Sequence, residues 1–267
     1  MTDSLLRHFR FSAHPFGRNA PKGALHRHRG FDEALERLRF TVEIDGISAL
    51  VADSGCGKSL LLGQLADDLQ KQGLAVHYFA HATVGPFGLI NVLARKAGVS
   101  PRRSRAETAL LVSQKLLEDD RKHLLVLDEA HVMPDDTLED VRLLSIADFD
   151  RKSPFLLILA GHPSLDDRLA EPTHHALDQR ITTVARLAPL SLDETKDYVR
   201  LRLDAAGARG QPVFDDNAVT ALFDASAGVP RRLNRIASAA MIVAASRKKN
   251  VVTAQDVHDA RVDRGRS

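Results

Sequence analysis

The sequence predicts an α/β core built on a parallel sheet, followed by a small all-helical domain. Three observations predict it. Between residue 30 and about residue 189, apolar runs of strand length alternate with stretches of helical periodicity. One of those runs ends at a glycine-rich turn that opens a helix, and another ends in two acids. After Pro189 the strand-like runs stop and only helical periodicity continues.

Residues 1–29 read as an irregular basic arm. Phe31, Ala34, Leu35, Leu38 and Val42 recur at helical spacing, so a helix precedes the first strand. ISALVA (47–52) is a buried strand, and the helix over 58–72 stops near Gly73. LAVHYF (74–79) is the second strand. A helix is predicted from about Pro86 to Ala97, and Ser104 with Glu107 gives a capping box for another reaching about Asp120. HLLVLD (123–128) is the most hydrophobic strand. A helix over about 135–147 leads to FLLILA (155–160), and ITTVARL (181–187) is the fifth strand. Such alternation implies a parallel sheet covered on both faces. Ser191 and Glu194 then open a helix to about Ala206, with further helices near 215–225, 230–246 and 253–264. The expected organisation is a basic arm (1–29), an α/β core (30–189) and a helical lid (190–267).

Cys56 is the single cysteine, so no intrachain disulfide forms, and a reducing cytoplasm is expected. No apolar run is long enough to span a membrane. Charge is uneven. Residues 1–29 carry six basic side chains against Asp3 alone, and residues 231–267 carry nine against three aspartates. With a net charge of +2, the centre is therefore acidic. Basic ends admit an anionic polymer as partner, although solvated surfaces often look the same.

The turn ADSGCGKS (52–59) approximates the phosphate-binding pattern G-x-x-x-x-G-K-[ST]. Ala52 stands where the first glycine is usual. The backbone N–H groups of Asp53, Ser54, Gly55, Cys56 and Gly57, at the start of a helix that continues through Leu60, suit anionic oxygens. Lys58 is placed to reach the β- and γ-phosphates of ATP, and the Ser59 hydroxyl to ligate Mg²⁺. Cys56 has two readings: a small residue facing solvent, or a thiol of lowered pKa at a helix N-terminus. Asp128 and Glu129, ending the 123–128 strand, suit a Mg²⁺-holding carboxylate and a base for the attacking water. His131 reads as a structural contact nearby. His162, after the 155–160 strand, is either a γ-phosphate sensor or a turn histidine before Pro163.

These residues carry a resemblance. His14-Pro15-Phe16, HRGFDEAL (28–35), ADSGCGKS, LLVLDEAH (124–131), LILAGHPSL (157–165), LDQRI (177–181), PLSLDETKDYVRLRLDAAG (189–207) and GVPRRLN (228–234) follow one another as in the ExeA-like branch of the AAA+ ATPases. The chain resembles that branch over nearly its whole length. The branch holds type II secretion ATPases and transposition regulators of the MuB, TnsC and TniB type. The resemblance implies a P-loop AAA+ core with a helical lid, and a homo-oligomer in a ring or helical filament. It also implies two arginine roles. Arg180 takes the place of an arginine finger acting on a neighbour's ATP, against a surface salt bridge as the alternative. Arg231, or Arg232 in the adjacent register, takes the place of the sensor-2 arginine. Ala52 and His162, which stands where the branch has glutamine, are departures.

Three functional readings follow. The expectation is a DNA-binding regulator of transposition that assembles with ATP and engages a transposase. The alternatives are a secretion-assembly ATPase, whose relatives usually carry a membrane segment and a peptidoglycan-binding region beyond the ATPase, and a nucleotide-gated scaffold. Lys96, Arg102, Arg103 and Arg105 are the expected DNA contacts, with Arg27, Arg29, Lys248 and Lys249 as rivals.

Overall fold

The computed structural model describes residues 2–17, 26–80, 86–145, 153–208 and 210–262. It divides into two compact units, Arg29–Leu187 and a second made of Met1–His28 with Ala188–Ser267.

In the first unit, strands β1 (Ile47–Ala52), β2 (Ala75–Phe79), β3 (His123–Leu127), β4 (Leu156–Gly161) and β5 (Ile181–Leu187) form one sheet in the order β2-β3-β4-β1-β5. Every pairing is parallel. β1, β3 and β4 are buried along their whole length, which is why they read as unbroken apolar runs rather than alternating ones. Helices α2 (Arg29–Glu43), α3 (Lys58–Lys71), α4 (Pro86–Lys96), α5 (Arg105–Glu118) and α6 (Asp135–Leu144) connect the strands or precede them. Short helices α7 (Ser164–Leu169) and α8 (His175–Asp178) fill the β4–β5 crossover. The core joins Ala49, Leu89, Leu93, Leu125, Leu127, Leu138 and Leu159, with the last strand packed at its margin through Val184.

In the second unit, α9 (Leu192–Ala205), α10 (Asp216–Ser226), α11 (Pro230–Ser246) and α12 (Ala254–Val262) surround a separate core. The reading of residues 1–29 as an irregular arm is corrected here. Thr2–Phe9 is a helix, α1, and Leu5, Phe9, Phe11 and Phe16 are buried in that second core. Ser12 ties the segment down through backbone and hydroxyl hydrogen bonds to the Ala206 carbonyl, at 2.8 and 2.9 Å. Its apolar residues fit no long periodic pattern, and they are buried only because a distant part of the chain covers them. Arg18 and Lys22 of the expected arm, and the end of the helix expected to reach residue 147, lie outside the described residues.

The two capping sites differ. Ser191 and Glu194 make both reciprocal bonds at the start of α9. Ser104 accepts the Glu107 N–H at 3.3 Å, while the Glu107 carboxylate lies 4.0 Å from Arg102. At GVPRR, Gly228 is at φ 69°, and a Cβ there would fall 2.0 Å from the Leu190 carbonyl oxygen. Glycine is therefore required where the start of α11 crosses the entry to α9.

Candidate functional site

β1, β3 and β4 end at the same edge of the sheet, the edge where ligands bind in open parallel sheets. The turn after β1 carries Gly55 at φ 95° and Gly57 at φ 112°, left-handed angles that side chains resist. Ala52 is the last residue of β1 and is paired with Leu187. Its φ is not positive, so the alanine costs no strain where glycine is usual. Lys58, at the start of α3, is buried, and its Nζ donates to the Ala52 carbonyl at 2.6 Å. The ammonium is thus folded across the loop rather than out into water. Asp53, Ser54 and Leu60 are exposed, and Leu60 is 55% accessible. Cys56 is buried, with its N–H bonded to the Asp53 carbonyl at 3.2 Å. The reading of Cys56 as a solvent-facing residue is corrected: the turn rolls its side chain inward.

Asp128 follows β3 and is buried. Its Oδ1 accepts the Glu129 N–H at 2.9 Å, and its Oδ2 accepts the Tyr78 phenol at 2.5 Å. Burial and the bond to Asp128 push the Tyr78 phenol up to about 12, outweighing Ser59, which acts the other way. Glu129 sits at φ 59°, a left-handed angle unusual for its type, and its carboxylate is half exposed.

His131 and His162 face each other at a ring separation of 5.8 Å. The His162 N–H donates to His131 Nδ1 at 3.3 Å, which leaves His131 Nε2 on the Glu129 side, 3.8 Å from Oε2. Burial lowers the His131 pKa, with Glu129 opposing and His162 and Lys58 reinforcing it, so the ring is neutral at pH 7. Gly161 makes this possible, because a Cβ there would press on Leu165 at 3.1 Å and on His131 Nδ1 at 3.3 Å. His162 Nε2 lies 3.3 Å from Asp53 Oδ1.

Ser59 and Asp128 are hard oxygen donors. Among the described residues no group of three or more His, Cys, Asp or Glu forms a complete metal cage. Two protein oxygens with the remainder from phosphate and water is how Mg²⁺ is held at nucleotide sites, so the donor set fits that ion.

Arg180 is elsewhere. It immediately precedes β5, at the edge where the strands begin. It lines a cavity of about 470 Å³ there with Asp45, Lys122 and Phe155. The six residues of β1 separate that edge from the phosphate-binding turn by roughly 20 Å at about 3.3 Å per residue. Arg231 is exposed in the first turn of α11.

The expected DNA contacts are not equivalent. Arg105 pairs with Asp140 and donates to the Asp136 carbonyl at 3.2 Å. Lys96 lies over the Phe79 ring at 5.6 Å, and Arg102 approaches Glu107. Arg103 is exposed. Lys249 binds the fully buried Asp256 at 3.0 and 3.1 Å. Counting cations along the sequence overstated their free charge, because the acids that neutralise them lie on other turns. A groove in the second unit was missed. It measures about 440 Å³, and Arg232, Arg235 and Arg261 line it against Ile236 and Ala239 with no acid in its wall. None of these three arginines makes an ion pair among the described residues. The i, i+3 spacing of Arg232 and Arg235 was the available signal. Tyr78 was also missed, since one tyrosine in a short strand carries no pattern.

No helix among the described residues is long and apolar enough to cross a membrane. Residues 42–169 match the family model described as "AAA domain". General secretion pathway protein A of Aeromonas hydrophila is 36% identical over 138 residues, which is 51% of this chain and a quarter (25%) of that protein. Among solved structures, Cdc6p from Pyrobaculum aerophilum superposes with a TM-score of 0.72 at 21% identity, covering 93% of this chain and 70% of that one. Aeropyrum pernix ORC1 in complex with DNA gives 0.64 at 18% identity, covering 91% and 67%. Drosophila ORC bound to DNA gives 0.69 at 17%, covering 99% and 66%. At these identities the likeness establishes the fold alone, a five-stranded parallel sheet covered by helices and followed by a helical carboxyl-terminal region.

Proposed function

We propose that this chain is a Mg²⁺-dependent ATPase that acts as a homo-oligomer, a ring or helical filament, and couples its nucleotide state to duplex DNA. One observation carries the reading. A phosphate-binding turn with an inward-folded lysine, a pair of hard oxygens and an exposed carboxylate converge where β1, β3 and β4 end.

In this reading the backbone of residues 53–57 and the Lys58 ammonium hold the β- and γ-phosphates, and Leu60 borders the nucleotide. Ser59 and Asp128 hold Mg²⁺, which when bound offsets negative charge on the phosphate oxygens. Glu129 takes the proton of the attacking water, and neutral His131 orients it. His162 exchanges its Asp53 partner for the γ-phosphate. Arg180 lies too far from its own turn to serve it, which supports action on the neighbouring subunit's ATP. Arg231 serves as the sensor-2 residue.

For the partner, the acid-free groove of Arg232, Arg235 and Arg261 and the exposed Arg102 and Arg103 support phosphate contacts. Many weak contacts along an oligomer give sequence-tolerant, salt-steep binding. The resemblance to MuB, TnsC and TniB supports a transposase as the protein that reads the assembled state. A second reading, secretion assembly, is favoured by the identity to general secretion pathway protein A.

The test is a series of duplex-binding isotherms at several salt concentrations with ATP, ADP and no nucleotide. Binding should require ATP and fall steeply between roughly 50 and 200 mM salt. If no nucleotide state binds duplex at low salt, the DNA reading fails and the secretion reading leads.

A further inference from the structure

Both oxygens of Asp128 are already spoken for by groups of this chain. Oδ1 accepts the N–H of Glu129, a bond any residue at 129 would make. Oδ2 accepts the Tyr78 phenol at 2.5 Å, a bond only this side chain makes. This hydroxyl therefore commits one oxygen of the carboxylate that has the chemistry to hold Mg²⁺.

The placement follows from the sheet. β2 is an edge strand, and Tyr78 stands in register with Val126. Asp128 lies two residues further on, where the pleat returns to the same face. The tyrosine leans along the strand direction, and its hydroxyl arrives at the carboxylate. Tyr78 is 42% exposed and lies outside the buried core. Neighbouring Phe79, by contrast, is buried. A half-exposed aromatic whose polar end alone is committed is suited to aiming another group rather than to packing.

We propose that Tyr78 is a positioning residue for the metal: it fixes the rotamer of Asp128 and so sets Mg²⁺ affinity. Each carboxylate oxygen accepts two hydrogen bonds or ligands, so the Tyr78 bond leaves Asp128 a lone pair for the metal or its water. Groups that orient metal ligands typically contribute roughly 10- to 100-fold in metal affinity. This inference rests on the nucleotide reading above.

The experiment uses Tyr78→Phe, which removes only the hydroxyl, with Asp128→Asn as the reference for a lost ligand. Binding of a fluorescent ATP analogue is measured in EDTA, then as Mg²⁺ is titrated. In Tyr78→Phe the EDTA affinity should stay within about twofold of wild type, while the Mg²⁺ midpoint rises roughly tenfold, toward that of Asp128→Asn. A merely structural tyrosine would shift both affinities or neither. An unchanged Mg²⁺ midpoint, or an equal loss with and without Mg²⁺, overturns the assignment. A wild-type protein that binds no nucleotide in either condition overturns the ATPase reading, and the assignment of Tyr78 with it.

Discussion

Nε2 of His162 lies 3.3 Å from Oδ1 of Asp53, which ties the turn after β4 to the phosphate-binding turn after β1. The Ser164 N–H donates to His162 Nδ1 at 3.4 Å, so Nδ1 is the accepting nitrogen and Nε2 carries the N–H that faces Asp53. A donor held at the mouth of the site by an exchangeable acid is suited to meet a phosphate. His162→Ala should bind ATP nearly normally and lose roughly 10²-fold or more in single-turnover hydrolysis, the usual effect of removing one such donor. His162→Gln, which keeps an N–H, should lose less. Full hydrolysis by the alanine variant would make His162 a turn residue only.

Among the described residues Lys58 Nζ has one hydrogen-bond partner, the Ala52 carbonyl, and its charge is buried with it. Phosphate would supply the missing anion. Hydrogen bonds to charged groups contribute about 1.5–3 kcal/mol, so Lys58→Ala should weaken fluorescent-nucleotide binding at least about tenfold. Wild-type affinity would remove this turn from the nucleotide site.

Base and finger should separate by mixing. Glu129→Gln should bind ATP and turn over on the order of 10²–10⁴ more slowly. Arg180→Ala should lose roughly 10³–10⁵ if its target lies across an interface. Mixed assemblies then contain some sites with an intact base and an intact neighbouring finger. ATPase assays across mixing ratios should show partial recovery, and the absence of recovery in confirmed mixed oligomers would argue against action in trans.

Cys56 is buried inside the turn. Its thiol should react with maleimide at least about tenfold more slowly in the native protein than in denaturant, since buried thiols are inert. Mass spectrometry after timed labelling measures this. Equal rates in the two states would contradict the inward placement.

Asp256 anchors the loop before α12. Burial pushes its carboxyl up, but the N–H and hydroxyl of Thr253, together with Lys249 and Arg247, more than offset this and bring it to about 2, from 3.8. A depressed carboxylate stabilises the fold above its unfolded pKa and loses that contribution as pH falls through the folded one. Asp256→Asn should therefore be less stable at pH 7, by about 2 kcal/mol, and melt at a lower temperature. Its deficit should shrink as pH falls from about 4 to 2. Thermal melts across that range check the sign, and a constant deficit would contradict it.

Much of the fold was legible because its signals are local. The five strand runs matched within a residue or so, most plainly β1, β3 and β4, since a strand buried on both faces must be apolar throughout. Capping residues marked the starts of α5 and α9. The α7 and α8 segments were missed because helices of six and four residues complete barely one or two turns of period.

The sequence by itself determined the backbone requirements. Gly55 and Gly57 fix a turn, and the runs ending at Ala52, Asp128 and Gly161 fix strands that bring the chemistry to one edge. Only the tertiary structure decided which side chains meet there. Tyr78 reaches Asp128 across 50 residues of chain, and Arg105 spends its charge on Asp140. α1 is covered by helices that lie far along the chain. The physical reason is range. Torsional preference and periodicity act within a few residues, whereas a hydrogen bond, an ion pair or a buried face depends on which distant segment arrives beside it.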